Sequence, residues 1–183
     1  MPCLEELEVT GSSRLEVVGG TTIDEAVFMP LCKATSMLVF ALHNLPVQFT
    51  SEAVQSLTTA WRALEIFKLT TVRARSHQLQ LETIADFARN CPKLRILVVQ
   101  WAPVAGNWSC HLADLVPFRT LSYFQVQRSA VSALAEAQVA AFFARVIPGC
   151  GISHMNASYR ETAIDRINAL KQHLVSETAS REL

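Results

Sequence analysis

No two of the five cysteines (Cys3, Cys32, Cys91, Cys110 and Cys150) are spaced C-x-x-C. That excludes a zinc ribbon and a thioredoxin-like redox motif. Their odd number and scattered positions suit small buried apolar residues in a reducing compartment. An excess of charge is also missing, since 16 Lys and Arg balance 16 Asp and Glu. A nucleic-acid binder usually carries a basic excess, so the balance argues against that class. No stretch has the apolar length of a transmembrane helix. The start, Met1-Pro2-Cys3-Leu4-Glu5-Glu6-Leu7, lacks the basic region and apolar run of a signal peptide. The sequons at Asn107 and Asn156 therefore read as chance matches, and the expected address is the cytoplasm or nucleus.

Catalytic signatures are equally scarce. His43, His77, His111, His154 and His173 show no H-E-x-x-H or related metal spacing. Gly19-Gly20 is not a G-x-G-x-x-G loop, and no G-x-S-x-G elbow or P-loop occurs. Cys110, His111 and Asp114 are close in sequence, but a nucleophile and base need spatial convergence and an orienting third group. The reading is a protein with no catalytic residues, metal or cofactor. The alternative is a small α/β enzyme with an unrecognised site around those three residues.

What the chain does have is apolar residues: 50% are hydrophobic and only 17% charged, with mean hydropathy +0.24. That is too apolar for disorder, so the surface must be hidden in some regular way. A triplet recurs in which an apolar residue is followed three and five positions later by two more. Its copies are Leu4, Leu7, Val9; Met37, Phe40, Leu42; Leu64, Phe67, Leu69; Leu94, Leu97, Val99; and Leu121, Phe124, Val126. A weaker sixth copy is Ile152, Met155, Ala157, and successive copies start 33, 27, 30, 27 and 31 residues apart. One strand, one helix and two turns need about that length.

The intervals carry helical spacing. Residues 51–61 place Val54, Leu57 and Trp61 on one face, with Thr50 or Ser51 as cap. Residues 80–90 align Leu81, Ile84, Phe87 and Ala88, then stop at Asn90-Cys91-Pro92. Residues 134–147 align Leu134, Val139, Phe142, Phe143 and Val146, then stop at Pro148-Gly149. Intervals 10–36 and 100–120 are less regular, the second with a short helix around His111–Leu115. A doubly wound α/β sheet is the competing architecture, although its strands prefer near-continuous apolar runs.

The triplets, the period and the helical returns resemble a leucine-rich repeat of the irregular, helix-rich kind. The closest resemblance is to the repeat region of F-box proteins, notably the large fungal sets. It is carried by Leu4-Glu5-Glu6-Leu7-Glu8-Val9, by Thr59-Ala60-Trp61-Arg62-Ala63-Leu64 and by Ala88-Arg89-Asn90-Cys91-Pro92-Lys93-Leu94-Arg95-Ile96-Leu97. Leu121 to Val126, Val139-Ala140-Ala141-Phe142-Phe143 and Val146-Ile147-Pro148 extend it. The resemblance implies a right-handed α/β solenoid of about six irregular repeats, with a short curved parallel sheet and helices on the convex side. It also implies a non-catalytic protein-binding module like the substrate-recognition half of a ubiquitin ligase. The F-box that docks a Skp-type adaptor precedes the repeats in that family. Met1 lies three residues before the first triplet, so adaptor contact needs an F-box upstream of Met1. A truncated fragment with an exposed apolar N-terminal face, from Leu4, Leu7 and Val9, is a further reading.

Strand alternation then defines an open face. Its inner row is Glu6, Val39, Ile66, Ile96, Tyr123 and His154; the next is Glu8, Ala41, Lys68, Val98, Gln125 and Asn156. The third row is Thr10, His43, Thr70, Gln100, Gln127 and Ser158, all polar as a solvated edge should be. The candidate protein-binding residues are Val39, Ile66, Lys68, Ile96, Val98, Tyr123, Gln125 and His154. Cover by the chain's own loops, or a strand phase shifted by one residue, remains the structural alternative. Trp101 and Trp108 either anchor a partner or plug the core. Residues 1–175 are read as the repeat domain, with a helix at 159–175 as its cap and 176–183 as a flexible tail. That helix sets Ile164, Ile167, Leu170 and Leu174 against a polar face of Arg160, Glu161, Asp165, Arg166, Lys171 and Gln172. Presentation of the helix to a partner or a membrane is its alternative role, with mixed charge disfavouring the membrane.

Overall fold

A computed structural model describes residues 4–11, 23–45, 47–70, 79–126, 130–154 and 163–181. Its strands are β1 (Glu6–Thr10), β2 (Ile23–Asp24), β3 (Val39–His43), β4 (Val47–Gln48), β5 (Ile66–Thr70), β6 (Ile96–Val99), β7 (Tyr123–Val126) and β8 (Ile152–His154). The α-helices are α1 (Ser51–Ala60), α2 (Thr83–Asn90), α3 (Glu136–Val146) and α4 (Ala163–Arg181). Short 3-10 turns occupy Glu25–Val27, Met29–Lys33 and Leu112–Asp114. The fold is α/β. Strands β1, β3, β5, β6, β7 and β8 form one parallel sheet in chain order, and β2 pairs with β4 beside it. The order has no reversal point such as a doubly wound sheet carries.

Five triplets fall into register. Leu7, Phe40, Phe67, Leu97 and Phe124 form one row across the sheet. The entry to each strand repeats as well. The Glu5 carbonyl accepts from the N–H groups of both Leu38 and Val39, and Leu38 from Glu65 and Ile66. Glu65 accepts in turn from Arg95 and Ile96, and Arg95 from Ser122 and Tyr123. One carbonyl thus serves two donors at four successive junctions.

The core lies on the triplet side. Phe40, Phe67, Leu97 and Phe124 are fully buried, as are Val54, Leu57, Phe142 and Phe143 from the helices. Phe40 stacks on Phe67 at 5.5 Å and meets Trp61 at 5.0 Å, while Phe67 meets Phe87 at 4.6 Å. The Thr50 hydroxyl accepts from the Ala53 N–H at 3.2 Å and caps α1 as the sequence suggests. Thr50 in turn donates its own hydroxyl to Glu25 at 3.0 Å, tying the first irregular interval to the helix.

Several expectations need correction. Leu134 is 82% exposed because α3 begins at Glu136 and Leu134 precedes it in a turn. The sixth triplet pairs differently from Ile152, Met155, Ala157. Ile152 lies opposite Phe124 and His154 opposite Val126, whereas Met155 and Ala157 lie outside the described residues. The C-terminal helix, expected at 159–175, is described from Ala163 and runs to Arg181. Of the expected tail at 176–183, Ser176–Arg181 is therefore helical. Hydroxyls of Ser176, Thr178 and Ser180 bond back to the carbonyls of His173, Leu174 and Ser176, which a polar composition conceals.

Helix α4 also buries a different face. Leu170 is 40% exposed whereas Lys171 is only 2% exposed. At 100° per residue, position 171 is seven residues past Ile164 and falls on its stripe, while 170 is well off it. The Lys171 ammonium donates to the carbonyls of Cys150 at 2.8 Å and Pro148 at 3.3 Å. Those carbonyls follow the end of α3, where acceptors lack helical donors. Burial depresses the Lys171 pKa below its ordinary value. Lys171→Ala removes the stem and both bonds, and a loss of about 1–3 kcal/mol is expected in urea unfolding. A loss within error would show the carbonyls are satisfied without it.

Two further side chains bind α4 down. Asn168 accepts from the Ile152 N–H at 3.0 Å and donates to its carbonyl at 2.7 Å, serving β8 as a further strand would. Arg166 donates to both Glu136 oxygens, with Nε at 2.9 Å from Oε2. These hydrogen bonds hold the Glu136 carboxyl below its usual pKa. Its stabilisation is therefore present at neutral pH and lost as pH falls through the lowered value. Arg166→Ala leaves Glu136 without that partner and should cost about 1–3 kcal/mol at pH 7. The deficit against wild type should shrink as acid protonates Glu136; a deficit constant with pH would rule the ion pair out as its source.

Candidate protein-binding face

Because Leu7, Phe40, Phe67, Leu97 and Phe124 point to the helices, the residues between them point the other way. This fixes the strand phase. Glu6, Val39, Ile66, Ile96 and Tyr123 are in register across β1, β3, β5, β6 and β7. Val39, Ile66 and Ile96 are half-buried and Tyr123 is 42% exposed. The next row is Glu8, Ala41, Lys68, Val98 and Gln125, extended by Ser153 on β8. Val98 and Ala41 are buried. Val98 lies between Lys68 and Gln125 in register, and long side chains cover a small neighbour on a pleated surface.

The sheet brings together seven of the eight candidate residues: Val39, Ile66, Lys68, Ile96, Val98, Tyr123 and Gln125. His154 is the exception. Its pairing with Val126 puts it in the other row of alternation, and Ser153, opposite Gln125, takes the place assigned to Asn156. Asn156, Gln127 and Ser158 lie outside the described residues. The third row is less solvated than its polarity suggests. Thr10 is exposed, His43 and Thr70 are half-buried, and Gln100 is buried. His43 connects rows and strands, with Nδ1 at 3.0 Å from the Thr70 hydroxyl and Nε2 at 3.3 Å from Glu8.

The sequence reading missed the rim before the strands. Leu38 is half-buried there, and Glu65 meets Arg95 at 4.0 Å. The signal lay in the position immediately after each triplet's first residue, the one whose carbonyl serves two donors. The assembled face has an aliphatic and aromatic centre with polar groups around it. That is the composition of many protein interfaces.

The other candidate sites resolve differently. Trp101 is buried and packs on Phe143 at 5.6 Å and Phe124 at 6.3 Å. Trp108 is half-buried, donates to Glu82 at 2.6 Å and meets Phe142 edge-on at 5.8 Å. Both are engaged on the helical side. His111 and Asp114 are exposed. Burial, with Glu82 nearby, raises the Cys110 pKa, whereas an activated thiol needs a lowered one. Among the described residues no group of His, Cys, Asp and Glu has metal-binding geometry, and no helix is long and apolar enough to cross a membrane. A hollow of about 810 Å³ lies between Ala141 and Ala144 of α3 and Leu174 and Thr178 of α4. Compared with models of known protein families, the chain matches none, and no curated protein matches it.

Proposed function

We propose that this chain is a non-catalytic protein–protein interaction module, built as a right-handed leucine-rich-repeat solenoid with α4 as its cap, and that it binds through the open face of the parallel sheet. The apolar row Val39, Ile66, Ile96 and Tyr123, left uncovered enough to be half-buried or exposed, carries this reading. Support for the repeat comes from the strand order and from the carbonyl that serves two donors at four successive strand entries. Asn168 on the outer backbone of β8 supports the cap. The parallel with the recognition repeats of F-box proteins rests on the sequence motifs. It makes the partner a protein in the cytoplasm or nucleus, without nucleic acid or membrane, and leaves a Skp-type adaptor to an F-box upstream of Met1.

The test compares proteins retained by the immobilised wild type, by Ile66→Asp/Ile96→Asp, and by Leu134→Asp on the opposite side. Each is first shown to be folded by circular dichroism. Interface centres lose about 2 kcal/mol or more per disrupted anchor, so a partner held by wild type and by Leu134→Asp should be lost from the double variant. Equal retention by all three would remove the open face from the reading.

A further inference from the structure

The open face is not uniform along the sheet. At its β1 end Glu5, Glu6 and Glu8 are all exposed. The next strands present Leu38 and Val39, then Glu65, Ile66 and Lys68, then Arg95 and Ile96, with Ala41 and Val98 buried among them. Beyond them lie Tyr123, Gln125 and Ser153. Acidic residues thus occupy one end of the stripe, while among the described residues the two rows at the other end hold Tyr123, Gln125 and Ser153, which are uncharged. Lys68 has Ala41 and Val98 as its register neighbours, both apolar.

We infer that the face takes an extended protein segment laid across the strands, with Lys or Arg over Glu6 and Glu8 and apolar side chains over Val39, Ile66 and Ile96. This rests on the open-face reading above and adds the chemistry and direction of the occupant. Charge complementarity fixes the direction. A cation at the β1 end meets carboxylates, whereas the reverse orientation sets it at the β7 end, where Tyr123 and Gln125 offer it none. The dimensions agree. Adjacent strands are about 4.8 Å apart, so β1 and β7 are separated by about 19 Å, the length of about six extended residues. Lys68, two strands from β1 and so about 10 Å away, suits a carboxylate or carbonyl about three residues along from the cation. A second copy of this chain pairing through β1 fits poorly, since Glu6 and Glu8 would meet their own kind.

The experiment selects binders from a random dodecapeptide display library on three folded proteins: wild type, Glu6→Lys/Glu8→Lys, and Ile66→Asp/Ile96→Asp. Wild type should enrich an apolar block with Lys or Arg on one flank. Synthetic versions should bind at least about tenfold more weakly when that flank is changed to Glu. The Glu6→Lys/Glu8→Lys protein should lose or reverse the preference, with melting unchanged. Enrichment of apolar blocks without a basic flank, or no enrichment at all, overturns the inference. If the same apolar block is selected equally by the Ile66→Asp/Ile96→Asp protein, the open-face reading itself fails along with it.

Discussion

Phe67→Ala should lower stability by about 3–5 kcal/mol, the usual cost of removing a fully buried phenyl ring. Phe67 is buried in the middle of the sheet. It contacts Phe40 along the sheet at 5.5 Å and Phe87 of α2 at 4.6 Å, so its loss opens both the sheet layer and the helix contact. Neither ring can fill the space without leaving its own strand or helix. In a chain of this size each kcal/mol moves the melting temperature by roughly 2–4 °C, so a drop of about 6–20 °C is expected. Substituting Phe40 and Phe67 separately and together with leucine isolates the ring–ring contribution, which should couple by about 0.5–1.5 kcal/mol. A Phe67→Ala protein melting within about 3 °C of wild type would mean that the core is not continuous through β5.

The second large effect is alkaline. Cys91 is fully buried at the end of α2, and its thiol faces the carbonyls of Thr58 at 3.7 Å and Trp61 at 3.6 Å. Burial pushes its pKa from 9.0 up to about 12. The unfolded chain therefore releases this proton near pH 9 while the folded chain keeps it until about pH 12. Stability from this thiol is complete below pH 9 and lost progressively across that window. Three pKa units correspond to up to about 4 kcal/mol. Burial also raises Cys32, Cys110 and Cys150, so their titration slopes the same way. The difference between wild type and Cys91→Ala isolates the first. Urea unfolding from pH 8 to 11 should show Cys91→Ala less stable at pH 8, with the gap narrowing or reversing as pH rises. A constant gap would place the thiol in contact with solvent.

Much of this fold is written in the spacing of apolar residues. Alternation within each triplet placed Phe40, Phe67, Leu97 and Phe124 in the core, and the intervals placed Leu57 and Phe87 opposite them. The repeat failed as a guide where its residues changed character. Ile152 could open a triplet or occupy its middle, and only pairing with Phe124 decides between them. The polarity of Lys171 suggested solvent, yet helix geometry and two carbonyl acceptors outweigh it. Leu134 shows the converse, an apolar residue left out because the helix starts two residues later. The open-face row was legible for the same reason as the core, since fixing one row of an alternating strand fixes the other. Its acidic end was visible as Glu5, Glu6 and Glu8, but its meaning depends on which strands β1 lies beside.

The central claim is that alternate residues of one sheet divide the work, one row holding the fold and the other remaining available to a partner. Melting of the neighbours Ile96→Asp and Leu97→Asp tests it most directly. Ile96 is half-buried on the open face and Leu97 is fully buried on the helical side. The account predicts that Ile96→Asp melts cooperatively, within about 5 °C of wild type, whereas Leu97→Asp has no cooperative transition because a carboxylate would be buried without a partner. Equal loss of folding in the two variants would contradict it.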